Sequence, residues 1–344
     1  MKYDFDDILI KAAVTTNINS RSEVEILDLE DMLPIFTAPM DTVVGVENAD
    51  YFINNGIRVI LPRQGETNET RISTSDSCWQ SYGIREFKDN FLIQTPDNRG
   101  AKMYALIDVA NGHMPAVLNT IVEAKTKYED KLVLMVGNIA NPETFKVLSD
   151  AGADYIRVGI GNGGGCLTTQ QTGIGYPMAS LIAETYEISK TLKSPAKIVA
   201  DGGFKKYSDI IKALALGADY VMLGSILNKA LESAGTTTNE QGEVIDQYSQ
   251  LAKNYLDVDI PLYKTFRGMS TKEVQVEWGK STIKTSEGVV RKHMVEYTVS
   301  GWVDNFTHYL KSAMSYTNSN SLDTFIGKVY YMIISQNSFN RYNK

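Results

Sequence analysis

The sequence predicts an α/β fold, a single (β/α)8 TIM barrel. Short apolar runs recur along the chain and helix-like stretches separate them. A helix stop, Gly-Ala-Asp and a new strand follow one another twice, at Gly152-Ala153-Asp154 and at Gly217-Ala218-Asp219. Continuous apolar runs suit strands buried on both faces of a parallel sheet. One such barrel fills about 250 residues and carries extra loops, which accommodates a chain of 344.

The first strand is expected at Ile35-Phe36-Thr37-Ala38 and the second at Arg58-Val59-Ile60-Leu61. Residues 64–77 are polar and irregular, as a loop is. A weaker third strand follows at Cys78 to Tyr82. The fourth is Tyr104-Ala105-Leu106-Ile107 and the fifth Leu132-Val133-Leu134-Met135-Val136. After the fifth, Asn141-Pro142-Glu143 opens a helix with a capping residue, a first-turn proline and an acid. That helix stops near Gly152, which can take the positive φ of a helix end. The sixth strand is Tyr155-Ile156-Arg157-Val158, the seventh Lys197-Ile198-Val199-Ala200. Ser208 to Leu216 repeats the helix plan, and Ala218-Asp219-Tyr220-Val221-Met222-Leu223 is the eighth strand. In such a barrel the active groups lie at the strand C-termini. The tail from about Tyr316, rich in Asn, Ser and Tyr, reads as a flexible end or an oligomer arm.

Bulk composition narrows the function. Hydrophobic residues make up 43% and charged residues 22%, an ordinary globular balance. A net charge of −7 offers no basic balance for nucleic acid. No apolar run reaches the ~20 residues of a membrane helix. The start, Met1-Lys2-Tyr3-Asp4-Phe5-Asp6-Asp7, is acidic and does not read as a signal peptide. Two cysteines, Cys78 and Cys166, argue against a disulfide framework. A reducing cytoplasm is the expected compartment, and a free reactive thiol becomes available.

The strongest local signal follows the sixth strand: Gly159-Ile160-Gly161-Asn162-Gly163-Gly164-Gly165-Cys166-Leu167-Thr168-Thr169. Glycine lets backbone approach an ion without a Cβ clash. A free cysteine is usually a small buried hydrophobe, but this one stands after a glycine loop with two hydroxyls beside it, which tips it toward a nucleophile. Asp201-Gly202-Gly203 ends the seventh strand and Leu223-Gly224-Ser225 the eighth. Small residues at these two ends commonly cradle phosphate with backbone N–H groups. Asp108 and Asn111 end the fourth strand and Asn138 the fifth. Each is either a catalytic-face residue or a cap for the next helix.

These motifs resemble the IMP dehydrogenase/GMP reductase family over about residues 4–315. Ser20-Arg21-Ser22-Glu23-Val24, Ala38-Pro39-Met40-Asp41-Thr42-Val43, the cysteine loop, the Asp201 turn, Arg267-Gly268-Met269-Ser270 and Ser286-Glu287-Gly288 fall in family order. The resemblance implies a barrel over 1–315 with an active-site loop at about 262–290, and a tail at 316–344. It implies a covalent purine–cysteine adduct, a purine nucleoside monophosphate substrate, a nicotinamide cofactor and a homotetramer. Cys166, Thr168 and Glu287 become the catalytic set. Without the resemblance, Glu287 would read as a solvated loop carboxylate. Met269 and Gly288 border the base, and Asp201, Gly203, Gly224 and Ser225 hold ribose and phosphate. Met40, Gly164, Gly202, Gly268 and Ser270 complete the substrate site. Asp108, Asn111 and Asn138 face the cofactor. Carbonyls of Gly159, Gly161 and Cys166 match a monovalent-cation site, for potassium.

Within the family, Asp108-Val109-Ala110-Asn111-Gly112 and Thr172-Gly173-Ile174-Gly175-Tyr176-Pro177 resemble GMP reductase. The stretch Met269 to Glu287 has no Arg-Tyr pair of the kind the dehydrogenase uses to activate water. Phe266-Arg267-Gly268-Met269, Gly224-Ser225, Glu287-Gly288-Val289 and Lys311-Ser312-Ala313-Met314-Ser315-Tyr316 are closer to the dehydrogenase. The missing pair bears on the hydrolytic step itself, so the expected reaction is reductive deamination of GMP to IMP and ammonia with NADPH (or NADH). The alternatives are an IMP dehydrogenase making XMP with NAD, a purine-nucleotide-binding barrel without turnover, and a flavin-dependent barrel oxidoreductase. Four residues depart from the family pattern. Gly164 stands for Ser, Asn162 for Pro, Thr169 for Arg, and Arg63 for a reductase Lys. They admit a deoxy or modified purine nucleotide as substrate.

Overall fold

In a computed structural model of the chain, residues 2–63, 78–94, 102–269, 271 and 288–342 are described. A short N-terminal strand, β1 (Ile8–Ile10), precedes eight strands in which every apolar run expected from sequence is found. These are β2 (Ile35–Thr37), β3 (Ile60–Leu61), β4 (Trp79–Tyr82), β5 (Met103–Asp108), β6 (Leu132–Ile139), β7 (Tyr155–Val158), β8 (Lys197–Asp201) and β9 (Tyr220–Leu223). They form one parallel sheet in the order β2-β9-β8-β7-β6-β5-β4-β3. A parallel bridge between Phe36 and Arg58 joins its two edges, with Arg58 N–H donating to Ile35 O at 3.0 Å. The chain is a (β/α)8 barrel. β6 runs past its expected end to Ile139, and the register against β7 shifts between Gly137 and Ile139.

The intervening helices follow their sequence signals. Asn141 accepts from Glu143 N–H at 2.9 Å and caps the helix Pro142–Asp150. The helix Tyr207–Leu216 ends at Gly217, held at φ 114°. Packing between strands and helices forms the larger core, with Ile156, Val158, Ile182, Ile198, Ile210 and Leu214 among its members.

The barrel interior is a second, smaller core. Phe36, Ile60, Trp79, Leu106, Met135, Val199 and Met222 fill it. Trp79, Tyr155 and Tyr220 begin their strands, and Tyr104 stands second in β5. Their rings meet Phe36 and one another at 5.1–6.0 Å between centroids. Arg58 lies 5.2 Å over Tyr220 and pairs with Asp28 at 2.5 Å and Glu30 at 2.9 Å. Aromatic rings therefore close the barrel interior at its N-terminal end, and the interior opens toward the C-terminal strand ends.

A separate antiparallel sheet, β10 (Thr237–Thr238), β11 (Tyr263–Arg267) and β12 (Val290–Met294), stands beside that open end. The helix Val299–Tyr316 buries Val299, Trp302, Phe306, Leu310 and Met314, a stripe at helical spacing. The tail read as a flexible end or arm is laid against its own chain. Leu322 and Phe325 are buried, and β13 (Tyr331–Ile333) pairs antiparallel with β1. Among the described residues no helix is long and apolar enough to cross a membrane.

Gly217 tests the helix stop. A Cβ there would stand 2.2 Å from the Tyr186 ring, at a φ that disfavours side chains. Gly217→Ala is expected to cost about 2–4 kcal/mol in urea denaturation. An unchanged midpoint would show that the turn relaxes freely.

Candidate active site

The C-terminal strand ends enclose a cleft of about 950 Å³, open mouth included. Its walls are Ala38–Met40 after β2, Asp108 from β5, Asn138 from β6 and the loop after β7 through Cys166. Asp201–Phe204 after β8, Met222–Ile226 from β9, and Phe266, Gly268 and Met269 from the β11 end complete it. The structure thus gathers Met40, Asp108, Asn138, Gly159, Gly161, Gly164, Cys166, Asp201, Gly202, Gly203, Gly224, Ser225, Gly268 and Met269 around one space. Ser270 and Glu287 lie outside the described residues.

Cys166 closes a tight turn, its N–H donating to Gly163 O at 2.9 Å. Its Sγ lies 3.3 Å from Thr168 Oγ1. Thr168 starts the helix Thr168–Thr172, so the two side chains are fixed by consecutive local elements. Gly288 forms an antiparallel bridge with Cys166, and Val289 N–H donates to Gly165 O at 3.1 Å. The β11 and β12 ends therefore lie against the cysteine loop. The other thiol, Cys78, is buried in the larger core, and burial pushes its pKa up to about 11. That environment suits an inert thiol.

The turn after β8 approaches the cysteine loop closely. Gly202 holds φ 89°, and a Cβ on it would sit 3.1 Å from Gly163 N. Gly164 faces Ser225, whose Oγ would be 3.7 Å from a Cβ on Gly164. These glycines and Ser225 form a small-residue corner that can meet an anion with backbone N–H and one hydroxyl.

Charge concentrates beside that corner, since Asp201 directly precedes Gly202. Arg157 donates from Nη1 to Asp108 Oδ1 at 2.7 Å and from Nη2 to Asp201 Oδ2 at 2.8 Å, with Nε also 3.2 Å from Asp201 Oδ2. Burial opposes the arginine charge, but Asp201 and Asp108 outweigh it, and its pKa is raised. Asn138 Nδ2 donates to Asp201 Oδ2 and to Gly159 O, both at 2.7 Å. Arg157 was not singled out among the site residues in the sequence. Its signal was a charge within an otherwise apolar strand run. Arg267 pairs with Asp41, Nε to Oδ2 at 3.1 Å, and ties the loop after β2 to β11.

Asn111 does not join the cleft. It is exposed, and its Oδ1 accepts from His113 N–H at 3.1 Å in a local turn. His113 Nε2 accepts from Ala140 N–H at 3.1 Å, so the ring proton sits on Nδ1 and faces Thr144 Oγ1 at 2.9 Å. Burial lowers the His113 pKa.

Backbone carbonyls of Gly159, Gly161 and Cys166 are neutral hard oxygens, a donor type that hard cations take. Asn138 occupies one lone pair of Gly159 O and leaves the second. Among the described residues no cluster of three or more His, Cys, Asp and Glu could hold a metal.

Comparison with known proteins identifies the family. The family model described as IMP dehydrogenase / GMP reductase domain matches residues 102–342. The chain belongs to the IMP dehydrogenase/GMP reductase family. Within that family it is similar to the GMP reductase of Shouchella clausii, 30% identical over 98% of this chain and 97% of that protein. The GMP reductase of Staphylococcus carnosus is 29% identical over 98% of each chain, and that of Bacillus licheniformis 30% over 98% of each. The family model begins just before β5, whereas these alignments also span β2 to β4 and Met40.

Two outcomes are expected. Arg157→Met leaves two carboxylates without their partner and is expected to cost about 3–5 kcal/mol in urea denaturation. Adding Asp108→Asn should recover part of that loss, and strict additivity would deny the coupling. For His113 the neutral form is the folded one, so its folded pKa lies below the unfolded value of 6.5. Its stabilisation is full above that pH and declines as pH falls toward the folded pKa, because the unfolded chain then binds more protons. His113→Gln should flatten the acid-side loss in urea midpoint, and an unaltered slope would assign that loss elsewhere.

Proposed function

We propose that the chain is a GMP reductase-like oxidoreductase converting GMP, or a deoxy or modified purine nucleotide, to IMP or its counterpart with release of ammonia. The observation that carries this reading is Cys166 Sγ beside Thr168 Oγ1 in a cleft whose other wall is the Gly202-Gly203 and Gly224-Ser225 corner. The relatives named GMP reductase, aligned over nearly the whole chain, support the same choice.

In this reading the corner binds the phosphate through backbone N–H groups and the Ser225 hydroxyl, with Gly164 opposite. Asp201, its Oδ2 held by Arg157 and Asn138, offers Oδ1 to the ribose. Met40, Gly268, Met269, Ser270 and Gly288 border the base. The Cys166 thiolate adds to C2 of the purine. Thr168 and Glu287 pass a proton to the 2-amino group, which leaves as ammonia. The nicotinamide cofactor, NADPH or NADH, supplies hydride to C2 when bound. The C2–S bond then breaks and the thiolate returns. Asp108, Asn111 and Asn138 flank the cofactor side, Asn111 from an exposed turn in which its Oδ1 accepts from His113 N–H. A potassium ion on the Gly159, Gly161 and Cys166 carbonyls would hold the cysteine loop in shape. Residues 1–315 are the catalytic barrel with its active-site loop at about 262–290, 316–344 are a C-terminal tail, and the assembly is a homotetramer.

The test is GMP with NADPH in potassium buffer, followed at the reduced-nicotinamide band. Absorbance should fall, and Cys166→Ala should abolish the change. Thr168→Ala and Glu287→Gln should each lower kcat by about 10²–10⁴-fold. dGMP, and IMP with NAD, run alongside. NADH formed from IMP would replace this reading with the dehydrogenase.

A further inference from the structure

The helix that carries Ser225 into the cleft ends one turn later at Asn228. Asn228 is fully buried, and it belongs to none of the motifs above. Its Nδ2 donates to Thr42 O at 2.7 Å and to Thr265 O at 3.0 Å. With both amide protons committed to carbonyls, its Oδ1 is an acceptor. His293 Nδ1 lies 2.8 Å from that oxygen, so Nδ1 carries the ring proton and donates. Geometry alone fixes both the amide orientation and the tautomer.

His293 belongs to β12 and stacks on Phe266 of β11, with centroids 4.6 Å apart and planes at 26°. Phe266 lines the cleft, and its ring would stand 3.0 Å from a Cβ on Gly165, the residue before Cys166. One unbroken series of contacts therefore runs from the helix of Ser225 through Asn228, His293 and Phe266 to the cysteine loop. Each contact is specific: an oriented hydrogen bond, a stacked ring pair, and a ring against glycine.

We propose that Asn228 and His293 are positioning residues that join the phosphate corner to the cysteine loop. Phosphate held at Gly224-Ser225 settles their helix, and through His293 and Phe266 it seats the β11 and β12 ends over Cys166. Neither residue touches the reacting atoms. The link rests on the functional reading above for the identity of the anion, but its readout does not need turnover.

The experiment measures iodoacetamide alkylation at Cys166, by peptide mass spectrometry, with and without inorganic phosphate. In the unaltered protein phosphate should slow alkylation about fivefold, the scale of a modest coupling between sites. His293→Phe keeps a ring on Phe266 and removes the donor. His293→Asn keeps a donor and removes the ring. Both should lose the phosphate effect, and kcat with GMP should fall about tenfold or more. Two variants keep the test standing if one fails to fold. Protection that survives in both variants is direct occlusion by the anion and overturns the link. Absence of protection in the unaltered protein overturns it as well. GMP turnover without a phosphate effect would remove the link and leave the reductase reading. A phosphate effect lost in both variants, without GMP turnover, would do the reverse.

Discussion

The site is organised around one buried guanidinium. Arg157 stands on β7 between Asp108 at the end of β5 and Asp201 at the end of β8, and it bonds both. Two carboxylates on one cleft wall would repel each other without a cation between them. With Arg157 between them they become a fixed triad of net charge −1. The bond geometry also decides which oxygens are committed. Asp201 Oδ2 receives Arg157 Nε, Nη2 and Asn138 Nδ2, which orients the whole carboxylate toward the cleft. Losing Arg157 would leave Oδ2 with Asn138 Nδ2 alone of these three donors.

The triad stands at the open end of the barrel, and the other end is shut. The rings of Trp79, Tyr104, Tyr155 and Tyr220 pack around Phe36, and Arg58 seals the layer with Asp28 and Glu30. A comparable economy governs the sheet beside the mouth. Lys264 on β11 is fully buried, and burial lowers its pKa to about 7. Its three ammonium protons meet three acceptors, Ser233 O at 2.7 Å, Gln247 Oε1 at 2.9 Å and Gly235 O at 3.2 Å. Those bonds favour the charged form that burial opposes. They anchor β11 two residues before Phe266 enters the cleft.

The sequence made the barrel legible for a physical reason. Strands buried on both faces are continuous apolar runs, and such runs stand out whatever their partners. Helix ends were legible too, because Asn141 and Gly217 act locally. The thiol and the glycine corner could be found because their chemistry is written in neighbouring residues. Pairings across long sequence distance left no local trace. β13 meets β1 from the far end of the chain, so its stretch read as a loose tail. Arg157 sits inside an apolar run, and nothing local announces two partners 44 and 49 residues away. Asn111 is a different case: it stands just past a strand end but outside the cleft lining, and its Oδ1 closes a local turn with His113 N–H.

The departures from the family pattern are physically unlike one another. Thr169 fills space behind the cysteine loop. Its Oγ1 donates to Ile174 O at 2.7 Å and occupies the position a Cβ on Gly161 would take. It therefore braces the glycine loop from behind. Gly164 does the reverse. A Cβ there would meet Ser225 only at ordinary contact distance, so the glycine leaves room that a side chain could fill. The first departure is compensated inside the fold, because the hydroxyl finds a carbonyl and the loop keeps its shape. The second is left open at the corner assigned to the phosphate. In the proposed reading that room bears on how the phosphate is held, not on which base or sugar is taken, because GMP, its deoxy form and base-modified nucleotides share the same phosphate.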